Sequence, residues 1–105
     1  MSYNVVMRYE VEKTEVFDND KWLKKLRDHK AVLTIAKRID RAIAGNFGDV
    51  APVGEGVSEM RIFVGPGYRL YYTIRHHTII FMLCGGDKST QEKDIKKAKK
   101  MAKVV

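Results

Sequence analysis

The sequence predicts an α+β fold, in which a small twisted, mainly antiparallel sheet of about four strands carries an N-terminal helical hairpin on one face and a basic C-terminal helix. Residues 57–75 alternate between apolar and polar side chains, which is the period of a strand with one buried face. Residues 17–43 instead repeat apolar side chains at helical spacing. We expect residues 1–105 to form a single domain, because a chain of this length has room for one core.

Two neighbouring strands are predicted on either side of Gly65-Pro66-Gly67. The apolar sets of the two strands are Ser58, Met60, Ile62 and Val64, and Tyr68, Leu70, Tyr72 and Ile74. Arg61 and Arg69 belong to the other parity, so both should point away from the core. A three-residue loop would pair Val64 with Tyr68 and set Arg61 opposite Tyr71.

A third strand is predicted from Thr78 to Cys84, where both parities are apolar and both faces should be covered. A two-residue turn at His76-His77 would place Arg69 opposite Cys84. Ile80 and Met82 would then lie on the same face as Arg69, and Lys88 would emerge nearby.

The remaining elements follow from shorter patterns. These are a strand from Val5 to Val11, a helix over Phe17, Trp22, Leu23 and Leu26, a stronger helix over Val32, Ile35, Ala36, Ile39, Ala42 and Ile43, a loop from Asn46 to Gly56, and a last helix capped by Ser89 or Thr90. The short join near Asp28 predicts that the first two helices form an antiparallel hairpin.

The charge of the chain is concentrated at its C-terminus. Of a formal net charge of +7, residues 88–105 carry +5, since seven lysines there face only Glu92 and Asp94. This skew favours a polyanionic partner, although lysine-rich helices are often simply solvated. Lys93, Lys96 and Lys97 are candidate RNA-binding residues.

Several classes of protein are disfavoured by the composition. The single cysteine, Cys84, lies in the most apolar strand, which argues against a disulfide framework. His76-His77 occupies a predicted turn without other metal-binding side chains at ligand spacing, so we expect no metal and no cofactor. No apolar run is long enough to span a membrane and the N-terminus does not resemble a signal peptide, so we expect a cytoplasmic protein.

Arg61, Arg69 and Lys88 form a cationic cluster that suits phosphate chemistry. Arginine binds phosphate bidentately, and three cations around one phosphate would stabilise a pentacoordinate transition state without a metal. In RNA the neighbouring 2′-OH is the nucleophile, so the protein needs only charge stabilisation, a base and an acid. Asp87 and Tyr71 are candidate proton-transfer residues. The alternative is that these arginines only keep an exposed strand soluble.

The chain resembles the RelE/ParE toxin superfamily, in particular the HigB-like "addiction module killer protein" branch of bacterial type II toxin–antitoxin systems. The resemblance covers almost the whole chain. It rests on Phe17 to Leu26 with Asp28, Arg38 to Asp49, Gly54 to Ile62, Gly65 to Tyr72, and Cys84 to Gln91. Arg69 matches the arginine of the Gly-Tyr-Arg-Leu-Xaa-Tyr motif, and Lys88 matches a basic residue after the last strand.

The resemblance implies a RelE-like (microbial RNase-like) fold and ribosome-dependent cleavage of mRNA. It also implies neutralisation by a cognate antitoxin, a small helix-turn-helix protein through which the toxin would meet DNA only indirectly. Many RelE-like toxins carry a catalytic tyrosine near the last helix, whereas no tyrosine follows Tyr72 here, which leaves the base open among Asp87, Tyr68 and Tyr71. Two alternatives are a ParE-like toxin that binds DNA gyrase and a degenerate module that binds only its antitoxin.

Overall fold

Five strands form one mixed sheet that lies between two helices in the computed structural model, which describes residues 8–17 and 22–105. The strands are β1 (Glu10–Lys13), β2 (Val50–Gly54), β3 (Val57–Ile62), β4 (Tyr68–Arg75) and β5 (Ile79–Asp87). The helices are α1 (His29–Ile43) and α2 (Gln91–Ala102). In the spatial order β1-β5-β4-β3-β2, β1 runs parallel to β5 and every other neighbouring pair is antiparallel.

The predicted four-stranded, mainly antiparallel RelE-like sheet with a helical hairpin is therefore wrong. The strand missed by the sequence is β2, which falls inside the predicted loop 46–56. Pro52 and Gly54 disfavour a strand in general, but an edge strand tolerates both, and β2 lies at the edge with a register shift between these two residues. The parallel edge strand β1 makes the sheet mixed. Of the first strand predicted from Val5 to Val11, residues 5–7 lie outside the described part.

The described part of the predicted first helix consists of turns. Turns cover residues 15–17 and 23–25, and residues 18–21 lie outside the described part. The Leu23 amide donates to the Phe17 carbonyl (3.0 Å), a contact that an α-helix does not make. Phe17 and Trp22 nevertheless pack together, with ring centroids 5.7 Å apart. The apolar spacing therefore directs these side chains into the core without a helix.

The helix α1 agrees with the second predicted helix. The Asp28 carboxylate accepts a hydrogen bond from the Ala31 amide and so caps the N-terminus of α1. Its buried stripe is Ala31, Ile35, Ile39 and Ala42. Beyond its end, Gly45 adopts a positive φ of 96°, which suits glycine at a helix terminus.

The sheet separates two apolar clusters, one under each helix. The α1-side cluster contains the buried residues Phe17, Ala31, Ile35, Ile39, Ala42, Met60, Ile62, Tyr68, Leu70, Tyr72, Ile80 and Met82. The α2-side cluster contains Val57, Tyr71, Leu83, Cys84, Ala98 and Ala102. Neither α1 nor α2 is long and apolar enough to cross a membrane, and this holds for every helix within residues 8–17 and 22–105.

The pairing of β3 with β4 differs from the predicted register by two residues. Ile62 pairs with Tyr68, and Arg61 pairs directly with Arg69 rather than with Tyr71. The loop is longer than predicted because the Val64 amide donates to the Ile62 carbonyl (3.0 Å), which ends the ladder at Ile62. A two-residue shift keeps every side chain on its predicted face.

The pairing of β4 with β5 changes the predicted faces. His76 and His77 both have positive φ, and Arg75 pairs with Ile79, so the turn has one residue more than predicted. Ile80 and Met82 consequently pack in the α1-side cluster, and their predicted place beside Arg69 is wrong. A bulge between Tyr71 and Tyr72 then shifts the register again, so that Arg69 faces Gly86 rather than Cys84.

Candidate functional site

The two strand arginines form a directly opposed pair on the α2 side of the sheet. Their side chains are 33% exposed for Arg61 and 14% exposed for Arg69. Each binds one carboxylate: Arg61 Nη2 lies 2.8 Å from Asp49 Oδ1, and Arg69 Nη1 lies 3.1 Å from Glu59 Oε1. The Nε atoms of both arginines are buried, and neither has a hydrogen-bond partner among residues 8–17 and 22–105. We refer to Arg61 and Arg69 as the arginine pair.

Glu59 is the buried anion of this site. The residue is 3% exposed, and its Oε1 accepts hydrogen bonds from Arg69, from the Tyr71 hydroxyl (3.4 Å) and from Gln91 Nε2 (2.8 Å). Because Gln91 is the first residue of α2, this carboxylate joins β3, β4 and the C-terminal helix. Glu59 therefore holds Arg69 in place beneath α2.

Tyr71 is completely buried beside Glu59. Burial raises the pKa of its phenol, and the nearby Glu59 carboxylate raises it further. The phenol consequently stays protonated at neutral pH and donates to Glu59. Its contacts are those of a structural hydrogen-bond donor in the α2-side cluster.

Arg38 of α1 fixes the segment that carries Asp49. Its guanidinium donates to the carbonyl oxygens of Arg61 (2.6 Å), Phe47 (3.1 Å) and Asp49 (3.4 Å). Burial lowers the pKa of this guanidinium, while Asp49 opposes the shift. A Cβ atom at Gly48 would lie 2.9 Å from Arg38 Nη2, so glycine allows this close approach. The Asp49 carboxylate is thereby held beside Arg61.

The end of β5 brings Asp87 and Lys88 close to the arginine pair in the strand register. Gly86 pairs with Arg69, and Asp87 pairs with Tyr68. The Asp87 carboxylate accepts from both the amide and the hydroxyl of Ser89, and these hydrogen bonds lower its pKa. Its contacts are those of a helix-capping residue.

Lys88 lies in the short 3-10 turn Lys88–Thr90 that leads into α2, and it is exposed. Its ammonium makes no side-chain hydrogen bond or ion pair with any residue of the described part. Of the three cations singled out by the sequence, Lys88 is therefore the one that stays fully available to a ligand.

Lysines cover the outer side of α2. An open depression is lined by Ser89, Thr90, Glu92, Lys93, Lys96, Lys97 and Lys100. On another side of the helix, Lys99 and Lys103 lie 3.6 Å and 3.9 Å from the carboxylate of Glu55. The predicted RNA-binding residues Lys93, Lys96 and Lys97 thus lie together, and no ion pair with the described residues neutralises them.

The sequence identified the cations of the site and missed the side chains that bind the two arginines and Glu59. Asp49, Glu59 and Gln91 complete the cluster, and none of them was predicted to belong to it. The parity of Glu59, which matches that of Arg61, was the available signal. Within residues 8–17 and 22–105, no three side chains of metal-binding type converge on one point.

Comparison with known proteins finds a relative that aligns with nearly the whole chain. The chain is 46% identical over 96 residues to an uncharacterized protein of Haemophilus influenzae (strain ATCC 51907 / DSM 11121 / KW20 / Rd), an alignment that covers 91% of this chain and 95% of the relative. No protein-family model matches the chain. No solved structure matches it either.

Proposed function

The chain belongs to the same family as this Haemophilus influenzae protein, and we propose that it is the toxin of a bacterial type II toxin–antitoxin system that cleaves mRNA on the ribosome. The motifs shared with HigB-like toxins suggest the system, and the arginine pair suggests the chemistry. The protein acts in the cytoplasm, and its cognate antitoxin is a small helix-turn-helix DNA-binding protein.

The observation that carries this proposal is the pair of unpartnered Nε donors on Arg61 and Arg69. Like charges directly opposite each other on neighbouring strands destabilise a sheet, and a buried donor without an acceptor adds to the cost. Asp49 and Glu59 each engage only one terminal nitrogen of their arginine. A phosphate supplies acceptor oxygens together with negative charge, which would offset the repulsion between the two guanidinium groups.

The chemistry requires no nucleophile from the protein. The 2′-OH of RNA attacks the adjacent phosphorus, its proton passes to a base, and the 5′-oxygen leaves with a proton from an acid. The arginine pair stabilises the extra negative charge of the pentacoordinate phosphorus. Lys88 adds an exposed cation, and Lys93, Lys96 and Lys97 contact backbone phosphates on either side. These lysine contacts are sequence-independent and weaken with salt.

The test is single-turnover cleavage of ribosome-bound mRNA by purified protein, followed by primer extension. Arg69→Ala removes a charge-assisted phosphate contact, so we expect cleavage to slow about 30- to 1,000-fold. The matched control is Arg27→Ala, because Arg27 is exposed and makes no side-chain bond within the described part. Arg75 is unsuitable as a control, since its Nη2 donates to the Ala102 carbonyl at the end of α2 (2.7 Å).

Arg69→Ala also leaves the buried Glu59 carboxylate without its cation. The folding of this variant must therefore be checked by thermal melting. Arg69→Lys keeps a cation for Glu59 but loses the planar fork of donors that binds phosphate bidentately. We expect Arg69→Lys to fold and still to cleave at least about tenfold more slowly, which corresponds to the loss of about 1.4 kcal/mol. Wild-type cleavage rates in both variants would remove the arginine pair from the reaction.

Expression of the protein in a bacterial host distinguishes the alternatives. Induced expression should stop translation before DNA synthesis. DNA breaks with intact mRNA would support gyrase as the target instead. A protein that binds its antitoxin tightly but arrests neither process would be a binding module.

A further inference from the structure

Phe63 is a strongly exposed aromatic side chain in the described part of the chain. It is 78% exposed, whereas the other aromatic side chains in residues 8–17 and 22–105 are buried or half-buried. Its ring makes no contact with another ring in that part of the chain. Burying a phenylalanine contributes about 1.5–3 kcal/mol, so leaving this one in water forgoes a stabilisation that the fold could use.

Phe63 lies next to the arginine pair. It directly follows the last rung of the β3–β4 ladder, Ile62 with Tyr68, and stands two residues, or about 7 Å at strand spacing, beyond Arg61. Ile62 and Val64 both pack in the α1-side cluster. Phe63, which lies between them, does not belong to that cluster, and we infer that its ring is on the opposite side of the sheet, with the arginine pair.

The loop that carries Phe63 is firmly anchored. The Val64 amide donates to the Ile62 carbonyl (3.0 Å), and the Gly67 amide donates to the Val64 carbonyl (3.2 Å). The buried Tyr68 closes the loop, with its hydroxyl 3.5 Å from Asp28 Oδ2. An aromatic ring on an ordered loop loses little conformational freedom when a ligand packs on it.

We propose that Phe63 is a stacking platform for a nucleobase of the single-stranded RNA whose phosphate binds the arginine pair. This inference rests on the proposed function and adds a base-binding subsite to it. Every nucleobase has a π face, so stacking gives affinity and orientation with little dependence on sequence. The phosphate of one nucleotide would bind Arg61 while its base stacks on Phe63, so both parts of the nucleotide would be held in place.

The experiment uses ribosomes programmed with an mRNA that carries 2-aminopurine and a 2′-deoxy block at the cleavage position. Stacking quenches 2-aminopurine fluorescence, so titration with the full-length protein reports both contact with the base and the Kd. We expect Phe63→Ala to abolish the quench and weaken binding about 5- to 150-fold, equivalent to about 1–3 kcal/mol at 1.4 kcal/mol per tenfold. Phe63→Tyr should restore both, because it retains the ring.

Leu33→Ala is the matched control, because Leu33 is a 64% exposed apolar side chain on α1, away from the arginine pair. Its binding and quench should equal those of the wild type. Thermal melting should show all three variants folded, since both positions are exposed.

The outcomes separate the two proposals. Wild-type protein that neither binds nor cleaves ribosomal mRNA would overturn the proposed function and the stacking subsite together. Arg69→Lys that loses cleavage while Phe63→Ala binds and quenches like the wild type would overturn the stacking subsite alone. Phe63→Ala that keeps RNA binding but loses antitoxin binding would assign Phe63 to the protein interface and also overturn it.

Discussion

The two faces of the sheet bury different kinds of side chain. Among the described residues, the α1 side buries large aliphatic and aromatic side chains, including Tyr68, Leu70 and Tyr72. The α2 side buries fewer side chains, and α2 itself contributes only the alanines Ala98 and Ala102 to the buried set. Polar contacts supplement them there, such as Gln91 with Glu59 and the Cys84 thiol with the Asp94 carbonyl (3.7 Å).

Because of this difference, the α1 side of the sheet mainly stabilises the fold, while the α2 side carries the charged site. Apolar burial needs no partner of particular geometry, whereas a buried charge destabilises the fold unless its hydrogen bonds are satisfied. Confining Glu59 and the arginine pair to the α2 side leaves the α1 side free to stabilise the sheet. The site can therefore contain unpartnered donors because the opposite face supplies the stability.

The largest expected effect comes from a matched pair of leucines. Leu70 and Leu83 are both fully buried, in the α1-side and α2-side clusters respectively. We expect Leu70→Ala to lower the free energy of unfolding by about 3–5 kcal/mol and Leu83→Ala by about 2–3 kcal/mol, since partly buried side chains at the margin of the smaller α2-side cluster can shift into the cavity. Urea denaturation measures both. Equal losses, or a larger loss at Leu83, would contradict the division between the faces.

A smaller effect is expected at the contact between β5 and α2. A Cβ atom at Gly86 would lie 1.9 Å from Asp94 Oδ2 and 2.7 Å from Thr90 Oγ1. Gly86→Ala should therefore displace the Asp94 and Thr90 side chains, break the hydrogen bond between them and cost about 1–3 kcal/mol of unfolding free energy. Asp94→Ala removes the nearest atoms, so the double variant should lose less than the sum of the two single variants. Strict additivity in that cycle would show that the close approach carries no strain.

The smallest effect is a loss of stability at alkaline pH. Burial raises the pKa of the Cys84 thiol from 9.0 to about 12, and burial also raises the pKa of Tyr71. In the unfolded chain the thiol releases its proton near pH 9, while the folded protein retains it. Stability is therefore complete below that pH and falls above it, by about 1.4 kcal/mol per pH unit for each such group.

Urea denaturation at pH 8 and pH 10.5 measures this loss, with Cys84→Ala as the comparison. The pKa values of Tyr68 and Tyr72 on the α1 side are also raised, so only the difference between wild type and Cys84→Ala isolates the thiol. The variant should lose about 1–2 kcal/mol less than the wild type over this interval. An identical loss in both proteins would show that the thiol is not protected by burial.

Side-chain alternation predicted the faces of β3 and β4 correctly, and the errors arose where the chain departs from regular periods. Arg61 and Arg69 lie on the predicted side because a two-residue change in register preserves parity. The extra residue of the His76-His77 turn and the bulge beside Tyr71 each change the β4–β5 register by one residue, which moves side chains to the other face. No local sequence pattern predicts either feature. Ile80 and Met82 were consequently assigned to the wrong face.

Sequence patterns predicted the cations of the site but not the carboxylates that bind them. Positive charges on a strand suggest phosphate chemistry, but Glu59 in the same pattern suggests only a solvated side chain. Its burial depends on Gln91 of α2, 32 residues farther along the chain. Likewise, Asp49 contacts Arg61 only because the residues after it form the strand β2. Pro52 disfavours a strand, so the sequence did not predict β2. Long-range partners of this kind are fixed by tertiary packing rather than by local sequence.

Pro52 also affects how molecules of this protein meet one another. An open strand edge with a full row of amide donors is the surface on which fibrils grow. At the β2 edge, proline lacks an amide donor and the register shift interrupts the row. At the opposite edge, β1 is only four residues long and exposes Glu10, Glu12 and Lys13. Both ends of the sheet therefore disfavour strand addition, and we expect concentrated solutions to remain free of cross-β aggregates.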